Sequence, residues 1–300
     1  MTDIDRETKR NEFYAILDEG KGVHKKAPAG TREWSDRSYN IINPRYLCPN
    51  ECAYCYVKPM SVRFGRGGGG CGEEDIEDLG EKGRKKFVLA EKKVEKAWGR
   101  PRKPHKYMFP TSHDIFPEIM VEYVEVVKKM LNAGHSVLCV TKPRLACITY
   151  ICDALKDFEG ATDRFFFRFT IGVKNRDIAR KWEKFSTPFS ERLDALMYAY
   201  GMGFETSVSM EPYLEEPDEI IEAIQYYVTD SIWLGPVNHL NRMPKPDDVD
   251  EKEWDEMRAE MESFHSPKKT LARVRRLRHN KKIYWKKEAV EKAIFALNKE

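Results

Sequence analysis

Between residues 39 and 240 the sequence alternates about six times between short β-rich runs and helical patterns. The strand candidates are YNII (39–42), KYMFPT (106–111), SVLCVTK (136–142), FFFRFTIGV (165–173), ETSVSME (205–211) and SIWLGPV (231–237), with KKIYWK (281–286) a weaker seventh. Each is rich in β-branched or aromatic residues and bounded by Gly, Pro or Asp. Between them, Phe87, Ala90, Val94 and Trp98 share one helical face, as do Ile119, Tyr123, Val126, Val127 and Met130 after Pro117,. Leu193, Leu196 and Tyr200 form a third stripe, stopped at Gly201 or Gly203, and a fourth helix over 218–228 follows Pro217. Repeated strand–helix alternation calls for a parallel sheet with right-handed crossovers. The near-continuous apolar strands fit a sheet covered on both faces. Six or seven units are too few for an eightfold barrel. The expected fold is therefore α/β, an open or partial (β/α) barrel, with an open doubly wound sheet as the competing arrangement.

A chain of 300 residues suits one such domain with short extensions,. Residues 1–38 read as an N-terminal extension, 39–240 as the core and 241–300 as a charged C-terminal extension. A glycine-rich acidic stretch, GRGGGGCGEEDIEDLG (65–80), reads as a loop,. With 41% hydrophobic and 34% charged residues and no bilayer-length apolar run, the composition fits a soluble globular protein with no membrane partner,. The N-terminus MTDIDRETKRNEF lacks the apolar core of a signal peptide, so the expected location is cytoplasmic,. A net charge of +3 is too small to argue for a nucleic-acid partner. Its distribution says more: half of KKTLARVRRLRHNKKIYWKK (268–287) is Lys or Arg, balanced by acidic stretches at 73–78 and 247–262,.

Three of the seven cysteines, Cys48, Cys52 and Cys55, fall inside eight residues just after the first strand candidate. In a reducing compartment, bunched thiols point to metal or redox chemistry rather than to a disulfide framework. Two centres compete for them. A structural zinc wants a fourth ligand, for which Cys71, His105 and His113 are candidates. An iron–sulfur cluster normally takes four cysteines, so three leave one iron without a protein thiolate. Cys139, Cys147 and Cys152 lie in apolar patterns and read as core,.

The stretch CPNECAYC has the spacing C-x3-C-x2-C with an aromatic residue, Tyr54, before the last cysteine. It resembles the signature of the radical S-adenosylmethionine superfamily, and it stands where that family places it, after the first strand of a partial (β/α)6 barrel. The closer likeness is to the spore photoproduct lyase-like group, also called DNA repair photolyase-like. It is carried by NPRYLCPNECAYCY (43–56), SHDIFPE (112–118), VTKPRL (140–145), FRFTIGV (167–173) and FSERLDALMYAYGMGFETSVSMEPYL (189–214). The resemblance implies that Cys48, Cys52 and Cys55 hold a [4Fe–4S] cluster whose fourth iron binds S-adenosylmethionine, with Tyr54 near the adenine. It implies reductive cleavage to a 5′-deoxyadenosyl radical, and an electron donor such as a flavodoxin or ferredoxin. In that group a cysteine donates hydrogen to the product radical. Cys71 lies in no motif that matches it, so the role is not carried over.

The remaining strand ends offer further cofactor-binding candidates. Where the family has a Gly-Gly-Glu-like stretch, this chain has PTSHD; Ser112 and Asp114 are placed to accept from the methionyl amine, or else one of them caps the helix near Pro117,. Lys142, at the third strand's end, suits a carboxylate or phosphate. Arg168 and Thr170 share one face of their strand, as do Ser207, Ser209 and Glu211 of theirs,. Polar residues on one face of a buried strand need partners, which favours a lined cavity. On the sixth strand Gly235 permits close backbone approach, with Asn238 and His239 beyond it,. For the substrate, the group resemblance and the 268–287 run point to a nucleic acid or nucleotide. A small metabolite, a peptide, or a non-enzymatic zinc module are the alternatives.

Overall fold

The structure, a computed structural model, describes residues 30–42, 48–59 and 88–297. Cys71 with the whole 65–80 stretch, Phe87 and the first 29 residues lie outside them. Seven strands form one all-parallel sheet in sequence order: β1 (Arg37–Ser38), β2 (Lys106–Met108), β3 (Ser136–Thr141), β4 (Phe165–Thr170), β5 (Glu205–Met210), β6 (Ile232–Leu234) and β7 (Ile283–Trp285). The helices are α1 (Glu91–Val94), α2 (Met120–Asn132), α3 (Leu145–Leu155), α4 (Ala161–Arg164), α5 (Arg176–Trp182), α6 (Phe189–Gly201), α7 (Asp218–Ile224), α8 (Glu251–Phe264), α9 (Pro267–Leu277) and α10 (Lys287–Leu297). No described helix is long and apolar enough to cross a membrane.

Strand β4 shows why the pattern was apolar throughout. Phe165, Phe167 and Phe169 are fully buried in the main core beside Phe204 and the α3 residues Ile148, Ile151 and Cys152. Arg168 and Thr170, on the opposite face, are buried as well,. Cys139, Cys147 and Cys152 belong to this core, as their surroundings in the sequence implied. Local chemistry sets the helix ends. Asn175 accepts from the N–H groups of Asp177 and Ile178 to start α5, and Asp250 accepts from Glu253 to start α8,. Gly203, at φ +81°, turns the chain from α6 into β5,.

The sheet is curled. Glu33, just before β1, accepts from Lys286, just after β7, at 2.7 Å, and Trp34 packs edge-on against Trp233 of β6. In a flat sheet six spacings of about 4.8 Å would hold the two edges about 29 Å apart. Among the described residues no ladder joins β7 to β1.

Three boundaries differ from the sequence reading. The first strand is Arg37–Ser38, not 39–42, because the Asn40 side chain takes the N–H groups of Thr111 and Ser112 and ends the ladder. Ile42 instead bridges Leu89 in antiparallel sense. Of the pattern Phe87 to Trp98, the described residues are helical over Glu91–Val94 alone, and Trp98 packs on Tyr39 and Tyr107. The weak seventh candidate is a full member of the sheet, so segments expected as extensions supply both of its edges.

A second, smaller core lies beside the strand ends. Ala53 of the cysteine loop, Trp182 of α5, Leu240, Met243 and the α8 residues Trp254, Met257 and Met261 pack together there. His265, in the α8–α9 turn, ties this end to the sheet: it accepts from Val237 N–H at Nδ1 and donates from Nε2 to the Tyr213 carbonyl at 2.8 Å. Burial, helped by the charge of Arg273 and opposed by the bond to the Tyr213 carbonyl, depresses its pKa from 6.5 to about 4. The unfolded chain therefore takes up a proton first as pH falls. Stability from His265 is complete above pH 6.5 and drains toward pH 4, by something on the order of 3 kcal/mol,. Urea midpoints should fall over that window, and His265→Gln should be less stable at pH 7 with a shallower fall. An unchanged slope in the variant counts against this linkage.

Candidate active site

The cysteine loop is a series of turns. The carbonyls of Cys48, Cys52 and Cys55 accept from the N–H groups of Glu51, Cys55 and Lys58 at 3.1, 3.1 and 3.2 Å. Four contacts anchor it. Ala53 N–H donates to the Trp182 carbonyl, and the Asn50 amide donates to Asp114 at 2.7 Å. Arg144 donates to Asn50 in turn, and the Tyr54 hydroxyl donates to Glu183. All three cysteines are free thiols, and all three line one cavity of about 640 Å³ at the C-terminal ends of the strands. This is the end where parallel α/β folds place their ligands.

The same cavity gathers most of the polar candidates: Tyr54, Ser112, Asp114, Lys142, Thr170, Ser209 and Glu211. Asp114 is the hub on the β2–β3 side. It accepts from the Lys142 N–H at 2.6 Å, from the Thr141 hydroxyl and from Asn50, and the Cys48 thiol lies 3.7 Å away. Burial works against its charge, but Lys142 and these donors hold the carboxyl below its ordinary range. The helix that follows starts at Phe116–Pro117 without a side-chain cap, so neither Ser112 nor Asp114 serves as one. Lys142 stands 5.4 Å from the Tyr54 ring centroid and 4.0 Å from Glu183. Burial opposes its charge, yet the field of Cys52, Tyr54, Glu183 and Asp114 raises its pKa.

Arg168 and Ser207 are placed elsewhere. They are neighbours across β4 and β5, one layer deeper than the paired Thr170 and Ser209. Arg168 donates to Ser207 at 2.9 Å, reaches Asp230 and Ser231, and lies under the Trp34 ring. They plug the curled sheet rather than line the cavity. His105 is also excluded as a ligand beside the cysteines: it precedes β2, at the opposite end of the strands, stacked on His135. His113 does line the cavity; its Nδ1 lies 2.8 Å from the Asp114 carbonyl, and its Nε2 has no partner among the described residues. Burial pushes its pKa down to about 4, leaving a neutral imidazole.

Several residues of the site were not picked out from the sequence. Glu183 and Arg192 form a fully buried pair at 2.5 Å behind the cysteine loop. Arg192 also donates to the carbonyls of Thr187 and Thr170. Glu33, Trp34 and Lys286 reach the cavity from the two sheet edges. Glu51 and His239, with φ of +47° and +56°, are the non-glycine residues of positive φ among the described residues, and both line this cavity. Such left-handed positions cluster at functional sites.

The donor set suits a three-thiolate centre. All three thiols line the cavity, and no other described cysteine does. Their side chains are at present turned onto protein groups, Cys48 toward Asp114 and Cys52 to 3.9 Å from the Ser186 hydroxyl. Accordingly, among the described residues no three His, Cys, Asp or Glu side chains converge on one point. Burial raises the Cys48 thiol, and burial raises the Cys52 thiol to about 11 against the pull of Lys142, so a metal has to displace their protons,. The chain matches no protein-family model, and no curated protein matches it.

The buried pair behind the loop gives a direct check. Glu183→Leu leaves Arg192 charged and unpaired, which should cost about 3–5 kcal/mol in chemical denaturation, whereas Glu183→Gln should cost less,. Equal stabilities for Glu183→Leu and the parent would remove the pair from the account of how the loop is held.

Proposed function

We propose that the chain is a radical S-adenosylmethionine enzyme in which Cys48, Cys52 and Cys55 hold a [4Fe–4S] cluster. The observation that carries this is the three free thiols lining a strand-end cavity that also presents Asp114 and Lys142. On this reading the curled seven-stranded sheet is a partial (β/α) barrel of that family's type. A cavity of about 640 Å³ is of the size that takes one cofactor-sized ligand,.

When bound, the cluster would supply the electron that cleaves S-adenosylmethionine and yields a 5′-deoxyadenosyl radical able to take hydrogen from a substrate. The chain's own part is binding and orientation. The Lys142 ammonium, ionised in the field of its neighbours, meets the methionyl carboxylate. Asp114 and Ser112 accept from the methionyl amine. The Thr170 and Ser209 hydroxyls, side by side across β4 and β5, face the ribose. Tyr54 offers its ring near the adenine while its hydroxyl is fixed by Glu183. A flavodoxin or ferredoxin is the class of electron donor this chemistry requires.

For the substrate, a nucleic acid or nucleotide remains the leading class by family likeness. The 268–287 run gives it less support than its composition implied. Arg273 and Arg276 pair with Glu216 and Asp218, Lys282 donates to the carbonyls of Gln225 and Val228, and Lys286 turns to Glu33. Strand binding that does not weaken with salt would remove this class in favour of a small metabolite or peptide. A second reading, a structural zinc closed by His113, is favoured by the partnerless Nε2 in the same cavity,.

Anaerobic reconstitution separates the two centres. A brown chain with about four irons is expected, against a colourless one holding a single zinc. Cys52→Ala should lose the cluster absorbance and 5′-deoxyadenosine formation together; a variant that still cleaves S-adenosylmethionine under dithionite overturns the ligand assignment. Lys142→Met should keep the cluster and weaken S-adenosylmethionine binding by about tenfold or more, the loss of one charge-assisted contact. Unchanged affinity would take Lys142 out of the carboxylate seat.

A further inference from the structure

On the β5–β7 side of the cavity stands a carboxyl whose one nearby donor is a shared ammonium. Glu211 follows β5 and faces the cavity with its side chain 16% exposed. Its ion-pair partner, Lys286, is 3.7 Å away, a long contact, and is bound more closely to Glu33 at 2.7 Å,. Among the described residues no donor comes closer to it than this ammonium.

The surrounding backbone explains why. Pro212 and Pro236 have no N–H to give. The Gly235 N–H goes to the Met210 carbonyl, and the Tyr213 N–H goes to the Gly235 carbonyl. Gly235 also makes room for the carboxylate: a Cβ there would meet Glu211 Oε1 at 2.6 Å and Cγ at 2.8 Å. Buried and half-buried carboxylates usually collect donors, and this one is seated where the protein withholds them. Burial accordingly raises its pKa to about 7, with Lys286 only partly offsetting the cost of its charge. Two carboxylates share a single ammonium here, so the wall carries surplus negative charge once Glu211 ionises.

We propose that Glu211 is the recognition group of a substrate subsite on the β5–β7 side of the cavity, taking a nitrogen group that donates N–H hydrogen bonds. An amine, a guanidinium or a neutral amide supplies that chemistry. The assignment rests on the reading that the thiol side, with Asp114, Lys142, Thr170 and Ser209, seats the cofactor. The close N–H donor that Lys286, at 3.7 Å, does not supply then comes from the molecule placed beside Glu211. Anionic ligands are disfavoured at this wall.

The test uses four probes, benzylguanidinium, benzamide, benzoate and adenosine, titrated into the full chain by calorimetry or ligand-observed NMR, with and without prior cluster reconstitution. Benzylguanidinium or benzamide should bind and benzoate should not. If the guanidinium is the better match, its affinity should rise as pH passes upward through about 7; if the amide is, its affinity should change little or fall over that range. Glu211→Gln should weaken the N–H probe by about tenfold or more, the loss of a charged acceptor. Gly235→Ala, which keeps the carboxyl but displaces it, should act in the same direction, with thermal melting confirming that each variant folds. Equal affinity of parent and both variants for the N–H probes overturns the proposal. So does preferential binding of benzoate, or adenosine affinity that depends on Glu211, which would move this residue into the cofactor seat. A parent chain that takes up no iron counts against the radical reading instead, and the probe series still decides Glu211.

Discussion

A carboxylate removed from bulk water must find donors, and Asp114 finds them on two separate stretches of chain. It stands after β2 and accepts from the Lys142 N–H and Thr141 hydroxyl at the end of β3, and from Asn50 in the loop after β1. One side chain thus fixes the cysteine loop against two strand ends. The tie extends further, because Asn50 accepts from Arg144, which also donates to the Phe185 carbonyl beyond α5. The loop contributes few apolar side chains of its own; Ala53 is its member of the smaller core. Its place is held by polar geometry, so the position of the thiols depends on Asp114 more than on packing.

The opposite side of the loop depends on a costlier device. Glu183 and Arg192 are both buried, and a pair of that kind gains little over an apolar pair unless its remaining atoms are bonded,. Here they are. Glu183 receives the Tyr54 hydroxyl as well as Arg192, while Arg192 reaches the carbonyls of Thr187 and Thr170. The pair therefore links α5, α6, the end of β4 and the cysteine loop at one point. Its effect on the site is positional: it orients Tyr54 and sets the field in which Lys142 stays charged.

The strand–helix alternation was legible because parallel strands covered on both faces must be apolar throughout, as β4 is. The ends of strands were less so. Asn40 stops β1, and Pro110 and Pro236 cannot continue the ladders of β2 and β6, effects of single residues inside otherwise β-like runs,. The curl was hidden altogether, since Glu33 and Lys286 lie 253 positions apart. Within the site, alternation correctly placed Thr170, Ser209 and Glu211 on the cavity face. It carries no information about depth, which is why Arg168 and Ser207, one layer lower, shared the same signal. Glu183 sits at the end of a short helix among lysines and looked like ordinary solvated charge. Only its distance to Arg192 distinguishes it.

Charge density along a sequence is not charge density in space, and the 268–287 run shows the difference. Arg273 is 2% exposed and grips Glu216 with two nitrogens while stacking on Phe264. Arg276 spans Glu216 and Asp218. These contacts clasp α9 to the start of α7, in the crossover between β5 and β6. The clasp holds α9 where the chain can return as β7 beside β6, and β7 delivers Lys286 to Glu33 at the far edge. A segment that reads as a basic surface thus works in part as an internal brace. By bringing the sheet's last strand to the side of its first, it sets Lys286 between Glu33 and Glu211 at the cavity.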